Sequence, residues 1–222
     1  VIERTLGSVT VLGPVRGLLA EAEPVRQRLT ASRPGVVGVA VSPDELTGLR
    51  DYFVQATTEP VVPLAPTEAA EIRALSRYGD IAVPNPAMLA AIGWADAAGI
   101  PVEAVDLDDD RYATLFADTI GYFELVRRTL RERRVGRKPP RPPTADEFAL
   151  AWSNTIEQGA GSRRLRARRD AAVVEAVGRL KARFPSVGVV VDRERFDGVV
   201  QILESGGTLV RTPDDDGPGA SR

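Results

Sequence analysis

Short β-branched runs alternate with longer stretches whose apolar residues recur at helical spacing. Four runs predict strands: Ser8–Leu12, Val36–Val41, Val102–Val105 and Val187–Val191. Val36–Val41 is apolar at nearly every position, which predicts a strand covered on both faces, as in a parallel sheet. Weaker runs at Asp80–Val83 and Thr208–Arg211 predict short additional strands.

Between these lie segments at helical spacing: Glu21–Ser32, the stretch opening at Ser42-Pro43, Thr67–Tyr78, Asn85–Ala98 with Gly99 as its stop, and a long helix from Arg111 to Arg134. Helices over Thr144–Gln158 and Ser162–Phe184 and a short one over Val199–Glu204 follow. Ser42-Pro43-Asp44-Glu45 and Thr144-Ala145-Asp146-Glu147 have the form of capping boxes, where a hydroxyl accepts an otherwise unpaired amide hydrogen bond. Gln55–Pro66 reads as a loop, Val135–Pro143 as an exposed proline-rich linker, and Pro213–Arg222 as a disordered tail.

The prediction is an α/β fold with a mostly parallel central sheet flanked by helices and a helical insertion between the last two main strands. It forms one domain over 1–212, with 111–184 able to stand as a helical subdomain.

Composition removes whole classes of chemistry. The 222 residues include no cysteine and no histidine. That excludes thiolate nucleophiles, disulfides, zinc ribbons, imidazole bases and the Ser-His-Asp triad. The net charge of -2 argues against a protein that coats nucleic acid as a whole. No apolar run reaches the ~18–20 residues of a membrane span, and the expectation is a soluble, cytoplasmic chain.

Three clusters could carry function. Gly13-Pro14-Val15-Arg16-Gly17 follows a strand but lacks a phosphate-loop pattern, and Pro14 removes an amide such a loop would use. Asp106–Asp110 lies at the carboxyl end of a strand, where α/β folds place ligands, yet it also suits the N-terminus of the next helix. The arginines of 127–141 and 163–169 could grip phosphates, but no nucleic-acid module accompanies them, and solvated faces paired with Asp and Glu are favoured.

Taken together, these segments resemble the TraB/PrgY/Tiki family of metal-dependent hydrolases. The stretches that carry the likeness are Gly13–Arg16, Arg33–Leu46, Met88–Leu115, Arg168-Arg169-Asp170 and Val187–Leu203. The resemblance implies that Arg16 and Arg195 stand where the family has histidines, Ala40 where it has a glutamate, and Leu107 where it has an arginine. Asp106, Asp108, Arg169 and Asp170 remain. It therefore implies the fold without the hydrolase residues: a binding or regulatory domain with no catalytic residue, no metal and no cofactor. The degenerate pocket would comprise Arg16, Asp106, Asp108, Arg169, Asp170 and Arg195.

Two arginines in place of two neutral ligands predict an anion-binding crevice, unless Arg16 or Arg195 pairs internally with Asp106, Asp192 or Glu194. The expected partner is a small anion or a protein, with no specific nucleic acid. The competing readings are a hydrolase holding a hard metal through Asp106, Asp108 and Asp170, and arginine-mediated nucleic-acid binding.

Overall fold

The computed structural model describes residues 1–54 and 65–206. Most of the predicted loop Gln55–Pro66, the predicted strand Thr208–Arg211 and the tail Pro213–Arg222 lie outside the described residues. A five-stranded sheet forms the centre, in the order β1 (Ile2–Leu6), β2 (Val9–Gly13), β5 (Val187–Val190), β3 (Val36–Val39), β4 (Val102–Ala104). β2, β5, β3 and β4 are mutually parallel, while β1 pairs antiparallel to β2 at one edge. Every residue of β3 and β5 is buried, as their apolar runs require.

The order of strands follows from the direction of the connections. The chain leaves β2 through α1 (Ala22–Ser32) to β3, then through α2 (Pro43–Val54), α3 (Pro66–Leu75) and α4 (Pro86–Ala97) to β4. It returns through α5 (Asp109–Thr119), α6 (Tyr122–Arg137), α7 (Ala145–Ile156) and α8 (Ala160–Lys181) to β5, which inserts between β2 and β3. α9 (Arg193–Glu204) follows β5. Parallel crossovers share one hand, so reversing direction moves the helices to the other face. One core accordingly joins Leu12, Val37, Val39 and Val190 to Val25 and Leu29 of α1 and Met88 and Ile92 of α4. The opposite core joins Val9, Val11, Val187 and Val189 to Val173 and Val177 of α8 and Val199 of α9.

The helix starts behave as local chemistry predicts. The Glu45 amide donates to Ser42 Oγ at 3.1 Å and the Glu147 amide to Thr144 Oγ1 at 3.2 Å, while Asn85 caps α4 ahead of Pro86. Gly99, at φ 67°, ends the α4 turn in a conformation that costs glycine nothing.

Several expectations are corrected. Ile2–Leu6, which carried no prediction, is an edge strand turned back on β2 through Gly7-Ser8, with Gly7 at φ 60°. Asp80–Val83 is not a strand: it makes one bridge, Leu18 to Ile81, because its partner is the loop after β2 and not the sheet. The long helix Arg111–Arg134 is two helices, α5 and α6, parted where Ile120 turns extended and Gly121 opens α6. Val135 is no linker residue; it extends α6 and is buried, and Pro142 is anchored as its carbonyl accepts from the Tyr78 hydroxyl at 2.7 Å. The last helix begins at Arg193, six residues before the predicted Val199.

A third apolar cluster joins Ala74 and Leu75 of α3, Val135 of α6, and Phe148, Trp152 and Ile156 of α7 with Val15 and Leu18 beyond β2. This helical layer thus draws on α3, outside 111–184, whereas α8 belongs to the sheet. Glu124 of α6 ties the two together. Its carboxylate accepts from the Gly161 amide at 2.9 Å and from the Ser162 amide and hydroxyl at 2.6 and 2.8 Å, capping α8 from another helix. Glu124→Ala should therefore lower unfolding free energy by about 1–2 kcal/mol, the loss of a cap, in urea titrations. An unchanged midpoint would show that α8 begins without it.

Candidate functional site

The carboxyl ends of β2, β3, β4 and β5 all open toward the helical layer. β5 is followed by α9 on one face, while β2 and β3, on either side of it, are followed by helices on the other. Such a divergence leaves a crevice at the strand ends. Here it measures about 790 Å³ and is walled by Arg16 and Gly17, Ala40 and Val41, Asp192 and Glu194, with α3 and α7 opposite.

Beneath it lies a buried ion cluster. Arg195, on the first turn of α9, donates through Nε to Asp170 of α8 at 2.9 Å and through Nη1 to Asp106 beyond β4. Arg169 of α8 donates to the same Asp106 oxygen and rests over the Tyr112 ring at 5.1 Å. The side chains of Asp106, Asp170 and Arg195 are 2%, 3% and 8% exposed, so these charges must satisfy one another.

Burial would raise the Asp106 carboxyl, but the Arg195 and Arg169 guanidinium groups and the Leu107 amide outweigh it and hold it below the usual range. Asp170, more deeply placed and with Arg195 as its hydrogen-bonding partner, is raised by burial. α8 and α9 come close enough because residue 198 is glycine: a Cβ there would stand 2.4 Å from Asp170 Oδ2.

Arg16 and Arg195 do line one crevice, but in different company. Arg195 pairs with Asp106, one of the internal pairs expected, whereas Arg16 is half-exposed and bonds Glu68 of α3 at 2.7 Å, a partner outside the expected set. Desolvation works against its charge, yet Asp192, Glu68, Glu71 and Glu194 together raise its pKa. Arg16 therefore lies among carboxyl side chains and not in a purely basic surround. Burial and neighbouring carboxylates push Glu71 up to about 7 and Glu194 to about 8, and Glu45 is raised as well.

Asp108 is not part of the site. It precedes α5 in extended geometry and turns its carboxylate back to the Arg111 amide at 2.8 Å, as a cap. Of the basic segment 163–169, Arg166 reaches inward to Glu157 and Ser153, and Arg169 to Asp106. Among the described residues no group of three or more Asp or Glu side chains is arranged to hold a metal ion.

Glu68 and Glu71 carried no signal in the sequence, because α3 reaches the strand ends only through the packing of the third cluster. Glu45 read as half of a capping box; in the structure it lines the crevice.

Two predictions follow from this geometry. Glu71 and Glu194 keep protons in the fold that the unfolded chain releases near pH 4.5. The folded state then binds more protons between about pH 5 and 8, and stability falls as pH rises through that window. Asp106 and Glu124, held low, cost stability only below about pH 4. The thermal midpoint should peak near pH 5, and Glu71→Gln with Glu194→Gln should flatten the decline toward pH 8. A midpoint still rising to pH 8 would contradict the assignment.

Gly198→Ala should destabilise by about 1–3 kcal/mol through overpacking against Asp170. Gly178→Ala, where a Cβ meets nothing within 4 Å, should instead gain ~0.5–1 kcal/mol of helix propensity. Chemical denaturation of both variants compares them directly.

No protein-family model matches the chain, and no curated protein sequence matches it.

Proposed function

We propose that this chain is a TraB-like domain that binds a small molecule at the strand ends and does not hydrolyse it. One observation carries the reading: the Arg195 guanidinium lies between Asp106 and Asp170, hydrogen-bonded to both. Two buried carboxylates facing one another would otherwise call for a bound cation. Arg195 is that cation, delivered by the chain itself, and a divalent ion entering there would meet a fixed positive charge. The carboxylates on which a hard-metal hydrolase would rely are engaged with arginines or, for Asp108, with a helix cap.

The crevice above keeps its volume. Seven carboxyl side chains and five arginines line it, with Glu71 and Glu194 carrying protons near neutral pH. That set favours a positively charged ligand, whose arrival would release those protons.

A thermal-shift experiment with magnesium, manganese, calcium and zinc salts tests the central claim. The wild type should not respond to any of them. Arg195→Ala leaves two buried carboxylates unpaired and should cost about 3–5 kcal/mol. Part of that loss should return on adding a divalent cation. Arg195→Lys, which keeps the charge but not the fork, should fall between. Stoichiometric metal in the purified wild type, together with metal-dependent ester or peptide hydrolysis, would overturn the proposal in favour of the hard-metal enzyme. Small amines should stabilise the wild type more at pH 8 than at pH 6, where the carboxyls are already protonated.

A further inference from the structure

Among the described residues, the second helix of the insertion, α6, presents an uncovered apolar face in basic surroundings. Tyr122 and Phe123 are 75% and 78% exposed, Leu130 58%, and Leu125 and Val126 41% each. Tyr122, Val126 and Leu130 recur every four residues, and the same stripe continues through Arg133 and Arg137. The opposite side is held to the protein. Val135 enters the third cluster, Glu124 caps α8, and Arg131 donates to the Ile156 carbonyl. The helix cannot roll to hide its aromatic residues without giving up these bonds. Contiguous exposed apolar side chains of this size mark an interaction surface.

Charge identifies the surface it meets. Between Tyr122 and Arg141 stand eight basic residues and two carboxylates, in a chain whose net charge is -2. Both carboxylates are occupied on the inward side, leaving Arg127, Arg133, Arg134, Arg137 and Lys138 exposed around the apolar stripe. Aromatic and aliphatic side chains at one end and along one face, flanked by arginines, suit the boundary between headgroups and acyl chains. A nucleic acid would engage the arginines but find nothing to do with Val126 and Leu130. A second copy docked on the same face would set its arginines against these.

We propose that α6 docks flat on an anionic lipid surface, inserting Tyr122, Phe123, Val126 and Leu130 below the headgroups while Arg133, Arg134 and Arg137 pair with lipid phosphates. The helix is about 24 Å long and lies on the bilayer without crossing it. This docking is independent of the crevice and its ligand.

The test is co-sedimentation of the intact protein with vesicles of phosphatidylcholine alone or mixed equally with phosphatidylserine. Binding is expected only to the mixed vesicles, and it should weaken as salt is raised. Phe123→Glu with Leu130→Glu should abolish it. Arg133→Gln, Arg134→Gln and Arg137→Gln together should weaken it by roughly a hundredfold. All five positions are solvent-exposed, so an unchanged thermal midpoint confirms that each variant folds. Absence of binding at low salt, or binding indifferent to Phe123→Glu with Leu130→Glu, overturns the proposal. So does sedimentation equilibrium showing a dimer that Leu130→Glu dissociates, which would assign the face to a second copy. Direct binding of a homopolymeric RNA, with no vesicle binding, would assign it to nucleic acid.

Discussion

Arg195 ties three parts of the chain together at one buried point. Its guanidinium bonds Asp170 on α8 and Asp106 at the end of β4, and Asp106 is also bonded by Arg169. The end of a sheet strand, the longest helix and the helix after the central strand are thereby locked at one point. Burying such charges is costly, and the attraction among them compensates only when geometry is good and few hydrogen-bonding groups are left over. Gly198 supplies part of that geometry by letting Asp170 approach α9 without a side chain in the way. Removing Arg195 would leave the buried Asp170 carboxylate without its hydrogen-bonding partner.

Above that floor the electrostatics change character. Burial, with a smaller contribution from neighbouring carboxylates, pushes Glu71 up to about 7 and Glu194 to about 8. A crevice of this kind is chemically soft: it can lose protons when a positive group enters and regain them when it leaves. The floor and the rim thus differ. One is a set of buried ion pairs in which Arg195 Nη2 and Arg169 Nε keep no partner among the described residues, the other a set of carboxyls whose pKa values are raised.

The helical layer separates two tasks as well. Its inner side, through Phe148, Trp152 and Val135, forms a small core of its own and roofs the crevice. Its outer side on α6 leaves aromatic residues in solvent, a state that water does not favour and that packing among the described residues does not relieve. The break at Gly121 matters here. A continuous helix from Arg111 would have carried Glu124 away from α8, and α8 would have begun without its cap.

Short-range physics made much of the fold legible from the amino-acid order. β-branched runs at 36–41 and 187–191 demanded burial on both faces, and Ser42, Asn85 and Thr144 announced helix starts through hydroxyl or amide groups that act within three residues. These signals are local, so they survive without knowledge of partners. Ile2–Leu6 became a strand only because β2 offered it an edge, Asp80–Val83 failed because no sheet edge was within reach, and Val135 was buried because α3 and α7 closed over it. The site belongs to the same class. Asp106 and Arg195 are 89 residues apart, and Glu68 is 52 residues from Arg16. The sequence marked Arg16, Asp106, Asp170 and Arg195 as chemically able. Which of them would neutralise one another, and that Asp108 would turn away to cap α5, was decided by how β5 inserts between β2 and β3, since only that insertion brings the strand ends and helix starts together.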